Sequence, residues 1–314
     1  MKKETAAEKR RKREASIRGM ILREMIADVT STQKGHAFQT GELRKHPKEP
    51  PWKCPDSFER ELVAADHFDM EYYIRKEKPK QKVILQLHGG GYIAPLRNAY
   101  RRFSIMYSKC AGGAHVLTID YRVAPEYPYP AALEDALVAY EWLLREKNYK
   151  AEDIVVAGDS AGGGLALCLV HYLKDHNRPL PAGIVAMSPW TDLALTGESY
   201  ELNFEKDPLF GGTRDSMIYN CPYITKEEER TNPYVSPLYG DFTGFPPILF
   251  QVGDQEMLLS DTLEAAKKAR EAGVKVKTSV YEGMFHVFQM GLHMIPESKA
   301  AWEEVGKFLN KLWK

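Results

Sequence analysis

The chain of 314 residues carries 43 basic and 43 acidic residues, so its formal net charge is zero. This balance excludes the global basic field that attracts nucleic acid. Hydrophobic residues make up 44% and charged residues 27% of the chain, as in ordinary globular enzymes. The length suffices for one large α/β domain or two modest ones.

The N-terminal segment is charged, with a basic run at residues 9–13. No apolar segment follows that would make it a secretory signal, and no apolar run approaches the roughly 18 residues that span a bilayer. We expect a solvated helical arm, although a basic amphipathic segment is also compatible with contact to a membrane or nucleic acid. The four cysteines are far apart and form no Cys-x-x-Cys pair. This spacing favours free thiols in a reducing compartment, and we expect a cytoplasmic protein without stable membrane insertion.

Short apolar segments, rich in Val, Ile and Leu, recur from residue 83 onward and predict buried strands. They lie at 83–87, 116–119, 154–157, 184–187 and 248–252, and a further strand pattern lies at 275–281. Most are apolar on both faces, as in parallel sheets covered by helices. Helical patterns separate them, at 131–146, 162–174, 262–271 and 297–312. The alternation predicts an α/β fold with a mostly parallel central sheet and helices on both faces.

Two segments depart from this alternation. Residues 1–50 are charged and helical in composition, and residues 192–240 are irregular and rich in aromatic residues, Gly and Pro. Long irregular segments inside a compact domain are usually lids or binding elements. We predict that both contribute to a helical cap above the C-terminal edge of the sheet, where open α/β sheets bind ligands.

The segment Gly-Asp-Ser-Ala-Gly at 158–162 lies between a predicted buried strand and a predicted buried helix. Strand, sharp turn and helix form the context of a nucleophile elbow, which exposes a serine hydroxyl at the edge of the sheet. The bare motif arises by chance in about one chain in ten of this length. A glycine-rich turn with a surface serine is the alternative, and the flanking elements favour Ser160 as a nucleophile.

The run His-Gly-Gly-Gly-Tyr at 88–92 directly follows the first of these predicted strands. Consecutive glycines allow backbone amides to converge on one point and hold the oxyanion of a tetrahedral intermediate. We expect the donors to be the amides of Gly90, Gly91 and Ala161. A phosphate-binding loop is disfavoured because the dinucleotide fingerprint and the Walker lysine are both missing from this run.

A serine nucleophile requires a base and an acid, which follow it in the chain order Ser, acid, His. Among nine histidines, His286 follows a predicted strand at the correct edge of the sheet. His115 and His171 lie within a predicted strand and helix and are expected to be structural. Asp254 and Glu256 both follow the strand at 248–252, and residue chemistry alone does not separate them as the acid.

These motifs closely resemble the hormone-sensitive-lipase-like family of bacterial esterases, with the α/β-hydrolase fold. The resemblance covers about residues 83–290 and rests on five motifs in order. They are the glycine run at 88–91, Asp-Tyr-Arg-x-Ala-Pro-Glu at 120–126, the serine motif at 158–163, Ser-Pro-Trp at 188–190, and Glu-Gly-Met-x-His at 282–286. The resemblance implies an α/β-hydrolase catalytic domain at 51–314, to which 192–240 adds cap structure, and an N-terminal helical cap segment at 1–50.

The family's acid lies thirty positions before its histidine, which corresponds to Glu256 where the family usually has aspartate. The resemblance therefore implies the catalytic set Ser160, Glu256 and His286. The segment at 120–126 is expected to brace the oxyanion loop, and Asp159 to support the site from behind. No metal or organic cofactor is expected.

The resemblance implies a serine carboxylesterase that hydrolyses short- to medium-chain acyl esters. We expect Tyr92, Phe204 and Phe210 to contact the substrate, and Leu209, Tyr219 and Tyr234 are further cap residues that either line the pocket or only pack. An amidase of the arylformamidase type remains an alternative. A non-catalytic receptor on this fold is the alternative outside enzymes, although such relatives typically lose the histidine. The partners expected are a small-molecule ester, no nucleic acid, and possible pairing as a homodimer.

Overall fold

A computed structural model describes residues 15–42 and 48–314. Eight strands form one sheet in the order β1-β2-β4-β3-β5-β6-β7-β8. Strand β2 pairs antiparallel with β1 and β4, and all other pairs are parallel. The strands are β1 Phe58–Ala64, β2 Asp69–Arg75, β3 Lys80–Leu87, β4 Ala114–Asp120, β5 Ile154–Asp159, β6 Gly183–Met187, β7 Ile248–Gly253 and β8 Val276–Tyr281.

Helices cover both faces of the sheet. Along β5, Ile154 and Val156 point to one apolar cluster, while Val155 and Ala157 point to the other. The first cluster includes α4 (Ala131–Arg145), α5 (Ala161–Asp175) and α7 (Leu259–Glu271). The second includes α3 (Asn98–Cys110) and α8 (Pro296–Leu312). The predicted mostly parallel sheet with helices on both faces is confirmed. Successive side chains of a strand point to opposite faces of the sheet, and here helices cover both faces. The central strands are therefore apolar at nearly every position.

The sequence patterns did not predict β1 and β2. Strand β1 lies at the edge of the sheet and mixes charged with apolar residues, most of them exposed or only partly buried. Charged side chains of this kind are common on edge strands, where they oppose pairing with other chains. A short segment that mixes charged and apolar residues resembles a loop in sequence. Edge strands of this type are therefore not detected when strands are predicted from apolar runs.

Two N-terminal helices, α1 (Ile17–Thr30) and α2 (Gln33–Gln39), lie against the irregular segment 192–240. The Thr30 hydroxyl donates to the carbonyl of Pro208 at 2.6 Å, and the Gln39 amide donates to the carbonyl of Gly211 at 3.0 Å. Within 192–240 the only α-helix is the single turn α6, Ser199–Leu202. The division into cap and catalytic domain remains a prediction, and the basic run at 9–13 lies outside the described residues. In the described part of the chain, no helix has both the length and the apolar character that crossing a bilayer requires.

Candidate active site

Ser160 occupies the turn between β5 and α5. Its backbone has φ 54° and ψ −126°, in the region that L-residues rarely adopt. A Cβ atom at Gly158 would overlap the carbonyl oxygen of Gly162, and one at Gly162 would overlap the carbonyl oxygen of Leu87. Strand and helix therefore approach too closely for side chains at these positions. This explains the two glycines around the strained serine, which is the geometry of a nucleophile elbow.

Hydrogen bonds to the backbone of Ser160 hold this strained turn in place. Its amide donates to the carbonyl of Met187 at 2.9 Å, at the end of the neighbouring strand β6. Its carbonyl accepts from the amides of Trp190 and Gly164, at 2.9 and 3.1 Å. A strained residue of this kind costs of the order of 1–3 kcal/mol, and it persists where the surrounding structure determines its conformation.

The imidazole of His286 lies between Ser160 and Glu256. Its Nε2 is 2.9 Å from Ser160 Oγ, and its Nδ1 is 3.0 Å from Glu256 Oε2. The ring is buried and packs edge-on against Phe210, with ring centroids 5.0 Å apart. The three side chains thus form a continuous hydrogen-bonded chain, although they are contributed by three separate loops at one edge of the sheet.

Glu256 is fully buried in the loop that follows β7. Burial raises the pKa of its carboxyl group, and hydrogen bonds from His286, the Gly253 amide and the Ser188 hydroxyl act in the opposite direction. Ser188 Oγ is 2.8 Å from Glu256 Oε1. These donors favour the carboxylate form, which can accept a hydrogen bond from the protonated Nδ1 of His286.

Asp254, the other carboxylate considered from the sequence, has different partners. Its Oδ1 accepts a 2.7 Å hydrogen bond from the amide of Gly283 and a 2.8 Å bond from the side chain of Gln255. It therefore ties the loop after β7 to the loop after β8. The structure brings Glu256, and not Asp254, to the imidazole of His286.

Ser188 is a site residue to which the sequence assigned no role, although its Ser-Pro-Trp motif was noted. It follows β6 and has a positive φ of 45°. Its hydroxyl donates to Glu256, and its oxygen accepts from the amide of Val287 at 3.2 Å. Ser188 thereby links the buried acid to the residue after His286. The Ser-Pro-Trp motif at the end of a predicted strand could have indicated a site residue. Only the fold shows that the Ser188 hydroxyl contacts Glu256.

The glycine run after β3 lies beside Ser160. Gly90 has φ 117° and lines the same cavity as Ser160 and His286, while Gly91 has φ 66° and packs against the side chain of Met217. Ala161 is the first residue of α5, so its amide lies at the N-terminal end of a helix, where backbone amides attract negative charge. The assignment of these three amides to an oxyanion site remains a prediction.

Residues of the segment 120–126 hold the glycine run by hydrogen bonds. The Tyr121 hydroxyl donates to the carbonyl of His88 at 2.6 Å, and its ring stacks on the His88 ring with centroids 4.1 Å apart. The amide of Ala124 donates to the carbonyl of Tyr92 at 2.7 Å. These contacts provide the bracing that the sequence predicted.

Asp159 lies directly before Ser160 and is almost completely buried, but it also lines the cavity at the site. Its Oδ2 atom has no hydrogen-bond partner within the described structure. Burial raises the pKa of Asp159 to about 8, against the usual 3.8. A neutral carboxyl group beside the serine is therefore expected at neutral pH.

A cavity of about 280 Å³ opens at Ser160 and His286. Its lining comes from the glycine run and the residues after it, α3, the segment 192–240, the loop after β8 and the N-terminal helices. It includes Ile26, Phe38, Ala94, Tyr100, Leu209, Phe285, Val287 and Met290. None of the three predicted substrate contacts is in this lining. Tyr92 is buried and stacks on Tyr223 with centroids 3.9 Å apart, and Arg214 lies 4.4 Å over the ring of Phe204. Phe210 contacts the imidazole of His286 instead.

In the residues that the structure describes, no three His, Cys, Asp or Glu side chains are grouped so that they could hold a metal ion. The site consists instead of a strained serine, a histidine and a buried carboxylate at the C-terminal edge of a mostly parallel sheet. This is the arrangement of the hydrolytic class of α/β enzymes.

Comparison with known proteins agrees with this class. The chain belongs to the alpha/beta hydrolase fold family, whose model matches residues 84–290. An acetyl-hydrolase of Streptomyces hygroscopicus is 37% identical over 249 residues, which cover 79% of this chain and 82% of that protein. An esterase of Acinetobacter venetianus is 35% identical over 240 residues, which cover 76% of this chain and 78% of that protein.

A solved structure of an esterase from the bacterial hormone-sensitive lipase family is 33% identical, with a TM-score of 0.81. The match covers 96% of this chain and 99% of that chain. The predicted resemblance to this family is confirmed, and so is the predicted class of carboxylic ester hydrolase.

Proposed function

We propose that the protein hydrolyses carboxylic esters by acyl transfer through Ser160. The observation that carries this proposal is the hydrogen-bonded chain in which His286 lies 2.9 Å from Ser160 Oγ and 3.0 Å from Glu256 Oε2. A serine hydroxyl is a weak nucleophile until an adjacent base removes its proton, and the base must itself be oriented by a third group. Glu256 supplies that orientation from a fully buried position.

In the first half of the reaction, Ser160 Oγ attacks the ester carbonyl carbon while His286 Nε2 takes the hydroxyl proton. The carbonyl oxygen becomes an oxyanion, which the amides of Gly90, Gly91 and Ala161 stabilise. Loss of one such donor typically costs about 2.7–4 kcal/mol of barrier. His286 then protonates the leaving alcohol, and the acyl group remains bound to Ser160.

In the second half, His286 takes a proton from water, and the resulting hydroxide oxygen attacks the acyl carbon. A second oxyanion forms and collapses, the bond to Ser160 Oγ breaks, and His286 returns the proton to that oxygen. The products are a carboxylic acid and an alcohol. Glu256 remains ionised throughout and stabilises the imidazolium that forms in each half.

The substrates that we propose are small-molecule esters with short- to medium-chain acyl groups. The cavity at Ser160 measures about 280 Å³ and is lined mainly by apolar side chains, which suits a small acyl group. Similarity to an acetyl-hydrolase also supports small acyl groups. Amide hydrolysis of the arylformamidase type remains the second candidate, since the same three residues perform it.

Labelling and kinetics test the proposal together. A fluorescent organophosphonate is expected to label the protein at Ser160, and p-nitrophenyl butyrate is expected to be hydrolysed. Ser160→Ala should lose both signals while keeping the folded circular dichroism spectrum. A parallel panel of aryl esters and formanilides decides the substrate class. Faster turnover of formanilides than of every ester would show that the enzyme is an amidase and not an esterase. Failure of an intact Ser160 to react with the organophosphonate would favour a non-catalytic receptor.

We further propose a cytoplasmic location, while pairing as a homodimer stays a prediction. All four cysteines are free thiols, and free thiols are common in reducing compartments, where disulfides are rare. Cell fractionation tests the location, and light scattering after size-exclusion chromatography tests the dimer.

The balanced charge supports the absence of nucleic-acid binding. A gel-shift assay at several salt concentrations would check it.

A further inference from the structure

Four apolar side chains form an exposed row along α1. Ile17, Ile21, Met25 and Val29 are spaced four residues apart, so they lie along one side of the helix. Each is between 55% and 72% exposed. Single apolar residues on a surface are ordinary, whereas a continuous apolar row is typical of interaction sites. The row is here called the α1 stripe, and none of its members lines the cavity at Ser160.

Contacts on the other side of α1 hold the helix in place and direct the stripe outward. Near the N-terminal end, the Ser16 hydroxyl donates to Glu297 Oε2 at 3.0 Å. At the C-terminal end, the Thr30 hydroxyl donates to the carbonyl of Pro208 at 2.6 Å. Between them, Leu22 packs against an apolar cluster that includes residues of α8. Because the helix is already folded and anchored, binding to the stripe carries no cost of helix formation.

Positive charge is concentrated immediately before this helix. Residues 1–14 contain seven basic and three acidic residues, although the whole chain carries 43 of each. Five of the seven are consecutive, at residues 9–13. Helix α1 itself has two basic and two acidic residues, so it adds no net charge. From Arg13 to Ile17 the chain spans at most about 14 Å when fully extended, so positive charge stays close to the stripe.

We propose that the α1 stripe and the basic run at residues 9–13 bind the protein reversibly to an anionic lipid surface. A helix that places apolar side chains among lipid headgroups, with Lys and Arg beside it, gains from both apolar burial and charge attraction. Nucleic acid would satisfy only the basic run, because its phosphate backbone offers no place to bury a row of aliphatic side chains. A lipid surface is the partner that both features fit. Binding of this kind stays in the interface and does not require a membrane-spanning helix.

Co-sedimentation of the full-length protein with vesicles tests the proposal. The vesicles contain equal parts of phosphatidylglycerol and phosphatidylcholine, and vesicles of phosphatidylcholine alone are the uncharged comparison. We expect binding to the anionic vesicles at about 0.05 M NaCl and a strong decrease at about 0.5 M, where salt screens the basic run. Absence of binding to the anionic vesicles at low salt would overturn the proposal.

Ile17→Gln/Ile21→Gln removes half of the stripe without changing the charge. Burial of one such side chain gains a free energy equivalent to roughly tenfold or more in an equilibrium constant. We therefore expect the partition coefficient of this variant on anionic vesicles to fall at least about tenfold. Its kcat/KM for p-nitrophenyl acetate in solution should stay unchanged, because neither residue lines the cavity at Ser160.

Leu62→Gln/Val138→Gln is the matched control. Leu62 on β1 is 66% exposed and Val138 on α4 is 49% exposed, so the control also removes two exposed apolar side chains. Its partition coefficient should match that of the unmodified protein. Thermal unfolding of both double variants separates a local effect from a loss of folding, since substitutions at exposed positions usually change stability little. An equal loss of vesicle binding in the control would contradict the assignment to α1.

Replacement of all five residues of the basic run by Gln tests the electrostatic part of the proposal. Each Lys or Arg close to an anionic lipid surface contributes about a fivefold factor to binding. We expect the partition coefficient at low salt to fall at least about a hundredfold, and the remaining binding to lose its salt dependence. Unchanged binding of this variant would overturn the role of the basic run.

Three further outcomes would assign these features to something other than a lipid surface. Binding that needs the basic run but is unchanged in Ile17→Gln/Ile21→Gln would indicate charge adsorption alone. A change from dimer to monomer in that variant, measured by light scattering, would show that a second copy covers the stripe. A gel shift of double-stranded DNA without vesicle binding would assign the basic run to nucleic acid. Each of these results contradicts the proposal, whereas the esterase function is tested separately by hydrolysis in solution.

Discussion

Ser188 and Glu256 are joined by a 2.8 Å hydrogen bond from the serine hydroxyl to Oε1 of the buried carboxylate. The same hydroxyl oxygen accepts from the amide of Val287, the residue after His286. One side chain therefore contacts both the proposed acid and the loop that carries the proposed base. This relationship suggests that Ser188 positions the acid and the base relative to each other.

Ser188→Ala is expected to lower kcat about tenfold with little change in KM, because a hydrogen bond to a charged group contributes about 1.5–3 kcal/mol. Steady-state kinetics on p-nitrophenyl butyrate measures this. Ser108→Ala is the matched control: its hydroxyl is equally buried and has no partner in the described structure, and it lies on α3. Equal losses in both variants would indicate general destabilisation and contradict the positioning role.

Glu256→Gln should reduce kcat by about 10⁴-fold, because an amide cannot stabilise the imidazolium and favours the wrong tautomer of His286. Asp254→Asn should retain most of the activity. The neutral side chain can still accept from the Gly283 amide, and the bond to a charged acceptor is only weakened. Paired assays on one chromogenic ester decide between the two carboxylates, and the opposite ranking of the two variants would move the acid to Asp254.

Tyr121→Phe should lower kcat several-fold while leaving the fold intact. It removes the 2.6 Å hydrogen bond to the carbonyl of His88 that holds the glycine run. Small displacements of oxyanion donors are costly because these donors act only in the correct geometry. Tyr140→Phe is the control, since it also removes a hydrogen bond to a carbonyl, that of Pro179 at 3.0 Å, but far from Ser160. Comparable kinetic losses in the two variants would argue against bracing.

The raised pKa of Asp159 predicts a pH-dependent stability. Burial raises this pKa from 3.8 to about 8. Between these values the folded protein binds more protons than the unfolded chain, so the contribution of Asp159 to stability is fully present below about pH 4. It is lost as pH rises to about 8, at up to roughly 1.4 kcal/mol per pH unit. Asp159→Asn lacks this dependence.

Urea unfolding of both proteins at several pH values between about 5 and 9 measures the effect. The free energy of unfolding of the unmodified protein, minus that of Asp159→Asn, should fall with rising pH and level off above about pH 8. Other buried carboxyl groups, Glu256 among them, are present in both proteins and cancel in this difference. A difference that does not change with pH would show that Asp159 titrates normally.

Local sequence patterns were sufficient to predict the central part of the fold and to select Ser160 and His286 as the proposed nucleophile and base. Strands buried on both faces appear as continuous apolar runs, and the two glycines around Ser160 are required wherever a strand and a helix approach so closely. The chain order of nucleophile, acid and base, together with the position after a predicted strand, then selected His286 among nine histidines. These features depend on residues that are close together in the chain, so they can be predicted from the sequence.

Other features depend on contacts between distant segments. Asp254 and Glu256 are two residues apart in one loop, and residue chemistry left them equivalent until the family resemblance favoured Glu256. The structure separates them by their partners, Gly283 for Asp254 and His286 for Glu256. The orientation of a loop side chain is set by what packs against it, and this information is not local.

The lining of the cavity shows the same limit. The sequence indicated aromatic residues of the segment 192–240, but Ile26 and Phe38 from the N-terminal helices line the cavity at Ser160. An apolar residue in a helix looks the same whether it faces a core, a cavity or solvent. The sequence alone therefore indicated Ser160 as the proposed nucleophile, through motifs with strict local geometry. Only the tertiary structure showed which carboxylate contacts His286 and which helices enclose the cavity, because packing between segments that are distant along the chain sets both.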